Sequence, residues 1–217
     1  MTEIMKNILC YGDSNTWGQI PLKDYVKSRH PRNIRWTGKL ELLAGNQLRI
    51  IEEGNNGRTT GLEDPIRVGR NGLTYLAACL DSAVPLDLVI FMLGTNDLKA
   101  KYQPTPESIT HRMNELVKIT KTICSSPPNQ RAEILVISPP IVKPQYYIYD
   151  DFNYPEATQY AKGLAPYYEN MCAQENAYFL NSANYVEVSD NDGSHLDAHN
   201  HALLAEAIWN KVQEILK

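Results

Sequence analysis

No stretch of this 217-residue chain approaches the roughly 20 consecutive apolar residues needed to span a bilayer, so no transmembrane helix is expected. The opening run Met1-Thr2-Glu3-Ile4-Met5-Lys6-Asn7 has no long apolar region of the secretory kind and leads straight into a strand-like segment. A cytoplasmic protein is the expectation. Only four cysteines occur, and Cys10, Cys79, Cys124 and Cys172 are scattered, mostly in apolar surroundings. That argues against a disulfide framework or a metal site and fits buried free thiols. Charge of one sign is also scarce. A net charge of −4 gives no electrostatic reason to expect nucleic acid or a membrane surface as partner. Neither Gly-x-Gly-x-x-Gly nor a phosphate-cradling Gly-x-x-x-x-Gly-Lys-Ser/Thr run is present, which leaves a nucleotide binder without its chemistry. A Gly-x-Ser-x-Gly elbow is missing too, which argues against an ordinary α/β-hydrolase.

What is present is a hydrophobic content of 43%, enough core for one domain over residues 1–217. Apolar strand-like runs recur at Ile8–Tyr11, Leu48–Ile51, Leu88–Leu93, Ile134–Ile137 and Ala177–Leu180. The central ones are continuously apolar, as parallel strands covered on both faces must be. Helical periodicity lies between them. Ile109, Met113, Leu116, Val117, Thr120 and Ile123 share one face, with Pro106 and Glu107 at the start. Near the end, Ala202, Ala205, Trp209, Val212 and Leu216 form an apolar stripe that Asp197 precedes as N-cap. Alternating strands and helices of this kind predict a doubly wound α/β sandwich.

The turn Gly12-Asp13-Ser14-Asn15-Thr16 follows the first strand-like run directly. In open parallel sheets ligands bind at that C-terminal edge. Acyl transfer needs a nucleophile, a base, a group that orients the base, and donors for the developing oxyanion. Ser14 is the candidate nucleophile and His195 the candidate base. Asp192, in Asp192-Gly193-Ser194-His195, stands three residues before that base, close enough on a turn to hold the distal ring nitrogen. Asp190 is a rival whose five-residue separation fits less well. The backbone N–H groups of Ser14 and Gly57 and the side-chain amide of Asn96 are the candidate oxyanion donors, each placed just after a predicted strand. Taken singly, every one of these residues has an ordinary structural reading as a cap, a turn glycine or an Asx-turn. Their joint occurrence at successive strand ends favours the catalytic reading. His195 and His199 also stand four residues apart beside His201, Asp192 and Asp197, but no His-Glu-x-x-His pattern is present and no metal is expected.

Ser14, Gly57, Asn96 and His195, in this order and within these blocks, resemble the SGNH (GDSL-type) hydrolases. Further runs are similar to the arylesterase/acyltransferase branch of that family, which includes a mycobacterial acyltransferase: Arg35-Trp36-Thr37-Gly38, Ile51-Glu52-Glu53-Gly54, Arg58-Thr59-Thr60, Asn71-Gly72-x-x-Tyr75-Leu76 and Gly94-Thr95-Asn96-Asp97-Leu98-Lys99. The resemblance covers most of residues 6–140, returns at 190–216 and thins between 140 and 185. It implies a flavodoxin-like three-layer α/β/α sandwich with a five-stranded parallel sheet. It also implies a Ser14–His195–Asp192 triad, an oxyanion hole from Ser14, Gly57 and Asn96, and neither metal nor organic cofactor. Asn15 stands where the family pattern has leucine, a common variation.

The expected activity is therefore hydrolysis of short-chain acyl esters, acetyl esters foremost, with transfer to small alcohols as a variant. A thioesterase, a lysophospholipase and a non-catalytic ligand-binding protein are the alternatives. The expected partners are a small-molecule ester, such as an acetylated carbohydrate, and further copies of the chain in a homo-oligomer. Trp17 and Asp13 are candidate substrate-binding residues, Asp13 also being suited to brace its turn. A basic loop over residues 19–36, with Lys23, Lys27, Arg29, Arg32 and Arg35, and a Pro- and Tyr-rich stretch over 139–155 are expected to wall the site. The Tyr146–Tyr154 segment would supply aromatic faces there.

Overall fold

Five apolar segments form β1 (Lys6–Gly12), β2 (Leu48–Gly54), β3 (Leu88–Met92), β4 (Glu133–Ser138) and β5 (Tyr178–Asn181). The computed structural model describes residues 5–22, 28–125, 132–146, 152, 154 and 156–217. All five strands run parallel in the order β2-β1-β3-β4-β5. Each predicted strand is present, with ends shifted by no more than three residues. All five residues of β3 are buried, because helices cover both faces of the sheet.

The two-residue side-chain period of a strand sorts the core into two layers. Ile8 and Cys10 of β1 join Leu88, Ile90 and Met92 of β3 on one face, under α2 (Trp36–Ala44) and α6 (Ala198–Ile215). Leu9, Tyr11, Val89 and Phe91 point the other way, under α3 (Gly72–Ala83), α4 (Pro106–Ile123) and α5 (Ala157–Gln174). The result is the expected three-layer α/β/α sandwich. α4 buries Ile109, Met113, Leu116, Val117 and Thr120 as the periodicity predicts, and starts on a capping box between Thr105 and Ser108 with Pro106 behind it.

In α6 the buried face is centred beside the predicted stripe and shares Ala205 and Val212 with it, with Trp209 and Leu216 packed at its edge. Asp197 is the N-cap, accepting from the Asn200 N–H at 2.8 Å. The buried face, however, runs through His201, Leu204, Ala205, Ala207, Ile208 and Val212, while Ala202 and Trp209 are only half-buried. Two adjacent apolar stripes compete on this helix. Packing against Trp36 of α2 selects the one that contains His201, whose Nδ1 accepts the Trp36 N–H at 3.3 Å.

The sheet order places the ends of β1, β2 and β3 side by side, with β1 in the middle. The chain passes from β1 to β2 on one side and from β2 across β1 to β3 on the other, so a crevice opens beyond the C-terminal end of β1. The segment between β5 and α6 runs back over that edge and brings the residues near 192–195 to β1. Lys23 and Lys27 lie outside the described residues, as do 147–151 and 153 of the tyrosine-rich segment. Among the described residues, no helix is long and apolar enough to cross a membrane.

Candidate active site

β1 ends at Gly12, and the short helix α1 (Ser14–Trp17) begins one residue later. Asp13 caps it, its Oδ1 accepting the Asn15 N–H at 2.9 Å. Only 1% of Asp13 is exposed, and burial raises its carboxyl to about 6. Its observed contacts are those of a turn brace. Ser14 thus sits at the first position of a helix directly above the sheet, its Oγ facing the returning segment.

His195 Nε2 lies 2.9 Å from Ser14 Oγ, and His195 Nδ1 lies 2.7 Å from Asp192 Oδ2. Asp192 is an acceptor when ionised, so the network assigns the ring proton to Nδ1 and leaves Nε2 free to take the serine proton. The other oxygen, Oδ1, accepts the backbone N–H groups of Ser194 at 3.1 Å and His195 at 3.0 Å. Burial pushes the Asp192 carboxyl up, but the His195 hydrogen bond and these two amides outweigh it and hold it below the usual range. Asp190, by contrast, is 62% exposed and pairs with Lys143 Nζ at 2.6 Å. It does not touch His195. The Ser194 hydroxyl lies 3.2 Å from His195 Nδ1 as a second polar neighbour.

The turn that carries Asp192 and His195 is built on Gly193, whose φ of +68° suits glycine. A Cβ there would lie 2.2 Å from the Lys143 carbonyl oxygen. The chain after β4 rests on this turn, with the Lys143 N–H donating to the Gly193 carbonyl at 2.8 Å. From the other side, Asn191 Nδ2 donates to Pro21 O at 3.4 Å. The described parts of both long loops therefore border the turn that carries Asp192 and His195.

Gly57 and Asn96 follow β2 and β3, the two strands that flank β1. Asn96 Nδ2 donates to Arg58 O at 3.1 Å, which ties its amide to the Gly57–Arg58 turn and leaves a second amide hydrogen. No hydrogen bond among the described residues occupies the N–H of Ser14 or of Gly57. Asp97, wholly buried, accepts the N–H and hydroxyl of Thr60, with Arg112 Nε 3.5 Å away. Arg58 lies across the Tyr11 ring, its Cζ 4.1 Å from the centroid, and its Nη1 donates to Gly12 O at 3.0 Å. These buried contacts fix the three turns relative to one another.

Trp17, half-buried, closes α1. Arg29 stacks on its ring at 5.1 Å and donates Nε to the Trp17 carbonyl at 2.7 Å. Glu52 gathers Arg35 at 2.7 Å and Arg32 at 3.1 Å, with Arg29 at 3.7 Å. The three histidines near the C-terminus separate: His195 faces Ser14, His199 is exposed on the first turn of α6, and His201 is buried against Trp36. Among the described residues, no group of three or more His, Cys, Asp or Glu is placed to hold a metal ion.

Three residues of this site escape sequence reasoning. Asn15 Nδ2 donates to Ser194 O at 2.9 Å, and Asn15 Oδ1 accepts the Leu196 N–H at 3.0 Å. His201 looks like a polar first-turn residue, yet it is fully buried. Arg67 lies in a loop with no motif, and its guanidinium reaches Gly57. The signal for Asn15 is its place directly after Ser14 in the Gly12–Thr16 turn.

Residues 10–203 match the GDSL-like Lipase/Acylhydrolase family. The inhibitor-bound structure of an aryl esterase from M. smegmatis superposes with a TM-score of 0.91 at 34% identity, covering 97% of this chain and 99% of that one. A carbohydrate acetylesterase from Sinorhizobium meliloti gives 0.90 at 35% identity, with the same 97% and 99% coverage. A lipase/acylhydrolase from Enterococcus faecalis, 18% identical, shares the fold at a TM-score of 0.65 over 97% of this chain and 96% of its own. No curated protein sequence matches.

Proposed function

Because the chain belongs to the GDSL-like lipase/acylhydrolase family and is a carboxylic ester hydrolase, we propose that it cleaves short-chain acyl esters, acetyl esters foremost, with Ser14 as nucleophile, His195 as base and Asp192 as the orienting carboxylate. One observation carries this reading: a single imidazole lies 2.9 Å from a serine hydroxyl and 2.7 Å from a buried carboxylate.

In this mechanism Ser14 Oγ attacks the ester carbonyl as His195 Nε2 takes its proton. The oxyanion forms against the N–H groups of Ser14 and Gly57 and the remaining amide hydrogen of Asn96. Asp192 stabilises the imidazolium, which then gives its proton to the departing alkoxide, and the acyl group stays on Ser14. Water, deprotonated by the same imidazole, releases the acid, and a small alcohol in its place gives transfer. Losing one oxyanion donor typically costs about 10²–10³ in turnover.

The acetyl preference draws on the similarity to a carbohydrate acetylesterase. A homo-oligomer belongs to the same reading, supported by Leu42 and Leu43, which are 67% and 45% exposed on α2. Light scattering would measure its size. The decisive experiment is hydrolysis of p-nitrophenyl acetate by wild type and Ser14→Ala side by side at about pH 8. Activity that vanishes in the variant supports the mechanism. Equal rates would remove Ser14 from it.

A further inference from the structure

Behind Gly57 the chain makes a loop whose anchor is Asp64. Its side chain is 2% exposed and fully engaged. Oδ1 accepts the N–H groups of Ile66 at 3.0 Å and Arg67 at 3.1 Å. Oδ2 accepts Arg67 Nε at 3.2 Å, Arg67 Nη2 at 3.1 Å and Lys101 Nζ at 3.2 Å. One buried carboxylate thus aims one guanidinium, and two cations share it.

The guanidinium is aimed at Gly57. A Cβ built on Gly57 would lie 2.6 Å from Arg67 Nη2, 2.8 Å from Cζ and 2.9 Å from Nη1. Three nearly equal distances mean that the guanidinium plane faces the Gly57 Cα broadside. A fixed cation therefore lies against the residue whose N–H faces the reacting carbonyl in the reading above. Its side chain is 39% exposed, and Nη1 makes no hydrogen bond among the described residues. The Asp64, Arg67 and Lys101 triplet carries one positive charge in excess. Arg29, stacked on Trp17, is 36% exposed and shares Glu52 with Arg32 and Arg35, and Arg32 also pairs with Glu41 at 2.8 Å. Each cluster thus holds one more cation than carboxylate in a chain whose net charge is −4. A neutral acetyl ester gives this excess charge nothing to neutralise.

We propose that the ester hydrolysed at this site carries a carboxylate close to its reacting carbonyl, and that Arg67 is the specificity-determining residue that binds that carboxylate. The inference rests on the esterase reading and adds a substrate class to it. An Arg–carboxylate pair at a partly desolvated rim discriminates by about tenfold.

The test is a comparison of kcat/KM within two matched ester pairs. p-Nitrophenyl hemisuccinate against its methyl ester places the charge on the acyl half. para-Acetoxybenzoate against para-acetoxybenzamide places it on the alcohol half. Wild type is expected to favour the charged member of one pair by about tenfold, mainly through KM, with the preference shrinking as salt is added. Arg67→Gln should bring that ratio near one, and Arg67→Lys, which keeps the charge without the fork, should restore part of it. The pair that responds tells which half of the substrate Arg67 binds. A wild type active on p-nitrophenyl acetate but indifferent to charge in both pairs overturns the proposal and leaves the esterase reading standing. So does a ratio unchanged in Arg67→Gln, or a parallel fall on charged and neutral esters in that variant. A wild type inactive on every ester overturns both.

Discussion

Asn15 holds the peptide groups on both sides of His195. Its Nδ2 donates to Ser194 O at 2.9 Å and its Oδ1 accepts the Leu196 N–H at 3.0 Å. The residue beside the candidate nucleophile therefore sets the position of the candidate base. Asn15→Ala leaves a buried carbonyl and a buried N–H without their partner, at a cost of about 1–3 kcal/mol in stability. Because the Ser14–His195 geometry loosens, kcat should fall by about tenfold or more while KM changes little. Steady-state kinetics with a denaturant titration checks both, and an unaltered kcat would reduce Asn15 to a structural tie.

Asp192 and Asp190 are separated by what they touch. Asp192→Asn removes the acceptor that fixes the His195 tautomer and should lower kcat by about 10⁴, as tautomer reversal does in other triads. Asp190→Asn removes only an exposed pair with Lys143 and should leave kcat within about twofold of wild type. Measured turnover of the two variants, with the opposite ranking, would reassign the orienting carboxylate.

Gly57 has two reasons to lack a side chain: a φ of +82° and the Arg67 guanidinium where a Cβ would stand. Gly57→Ala should destabilise the protein by about 1–2 kcal/mol through the backbone alone. It should also displace Arg67, so the charge preference of the esterase falls together with the melting temperature. A variant that loses stability but keeps its charge preference would show that Arg67 does not depend on this contact.

His201 supplies a pH dependence with a definite sign. Burial, then the nearby His30, lowers its pKa from 6.5 to about 3, against the opposing pull of Asp197; His195 and Arg35 also face it. The unfolded chain binds a proton there that the folded chain refuses. Stability should therefore decline as pH falls from 6.5 toward 3, by up to about 1.4 kcal/mol per pH unit. His201→Leu should flatten that limb relative to wild type. Asp13 and Asp192 titrate in both proteins, so the difference between their urea midpoints across pH isolates His201. Parallel curves would show that the imidazole takes up its proton in the fold as readily as outside it.

The layered fold is legible because parallel strands buried on both faces read as unbroken apolar runs, and Ile8–Tyr11 and Leu88–Leu93 are such runs. Ser14, Gly57, Asn96 and His195 are legible as candidates because oxyanion and proton chemistry needs those groups at strand ends. The centring of the α6 face on His201 was not legible. Hydropathy counts His201 as polar, whereas the core takes it as a neutral ring against Trp36. Arg67 and the Asn15 clamp were hidden for a different reason. Each acts on a residue that local pattern does not connect to it: Arg67 reaches Gly57 from a loop without a motif, and Leu196 lies 181 positions beyond Asn15.

That separation has a consequence for the chain during its synthesis. Ser14 and His195 are also 181 positions apart, and the turn carrying His195 rests on Asn15, Pro21 and Lys143, all earlier in the chain. A chain still on the ribosome has its serine long before it has a base to activate it. Under the proposed mechanism, esterase activity should thus appear only once residue 195 has been made and its turn has docked on β1.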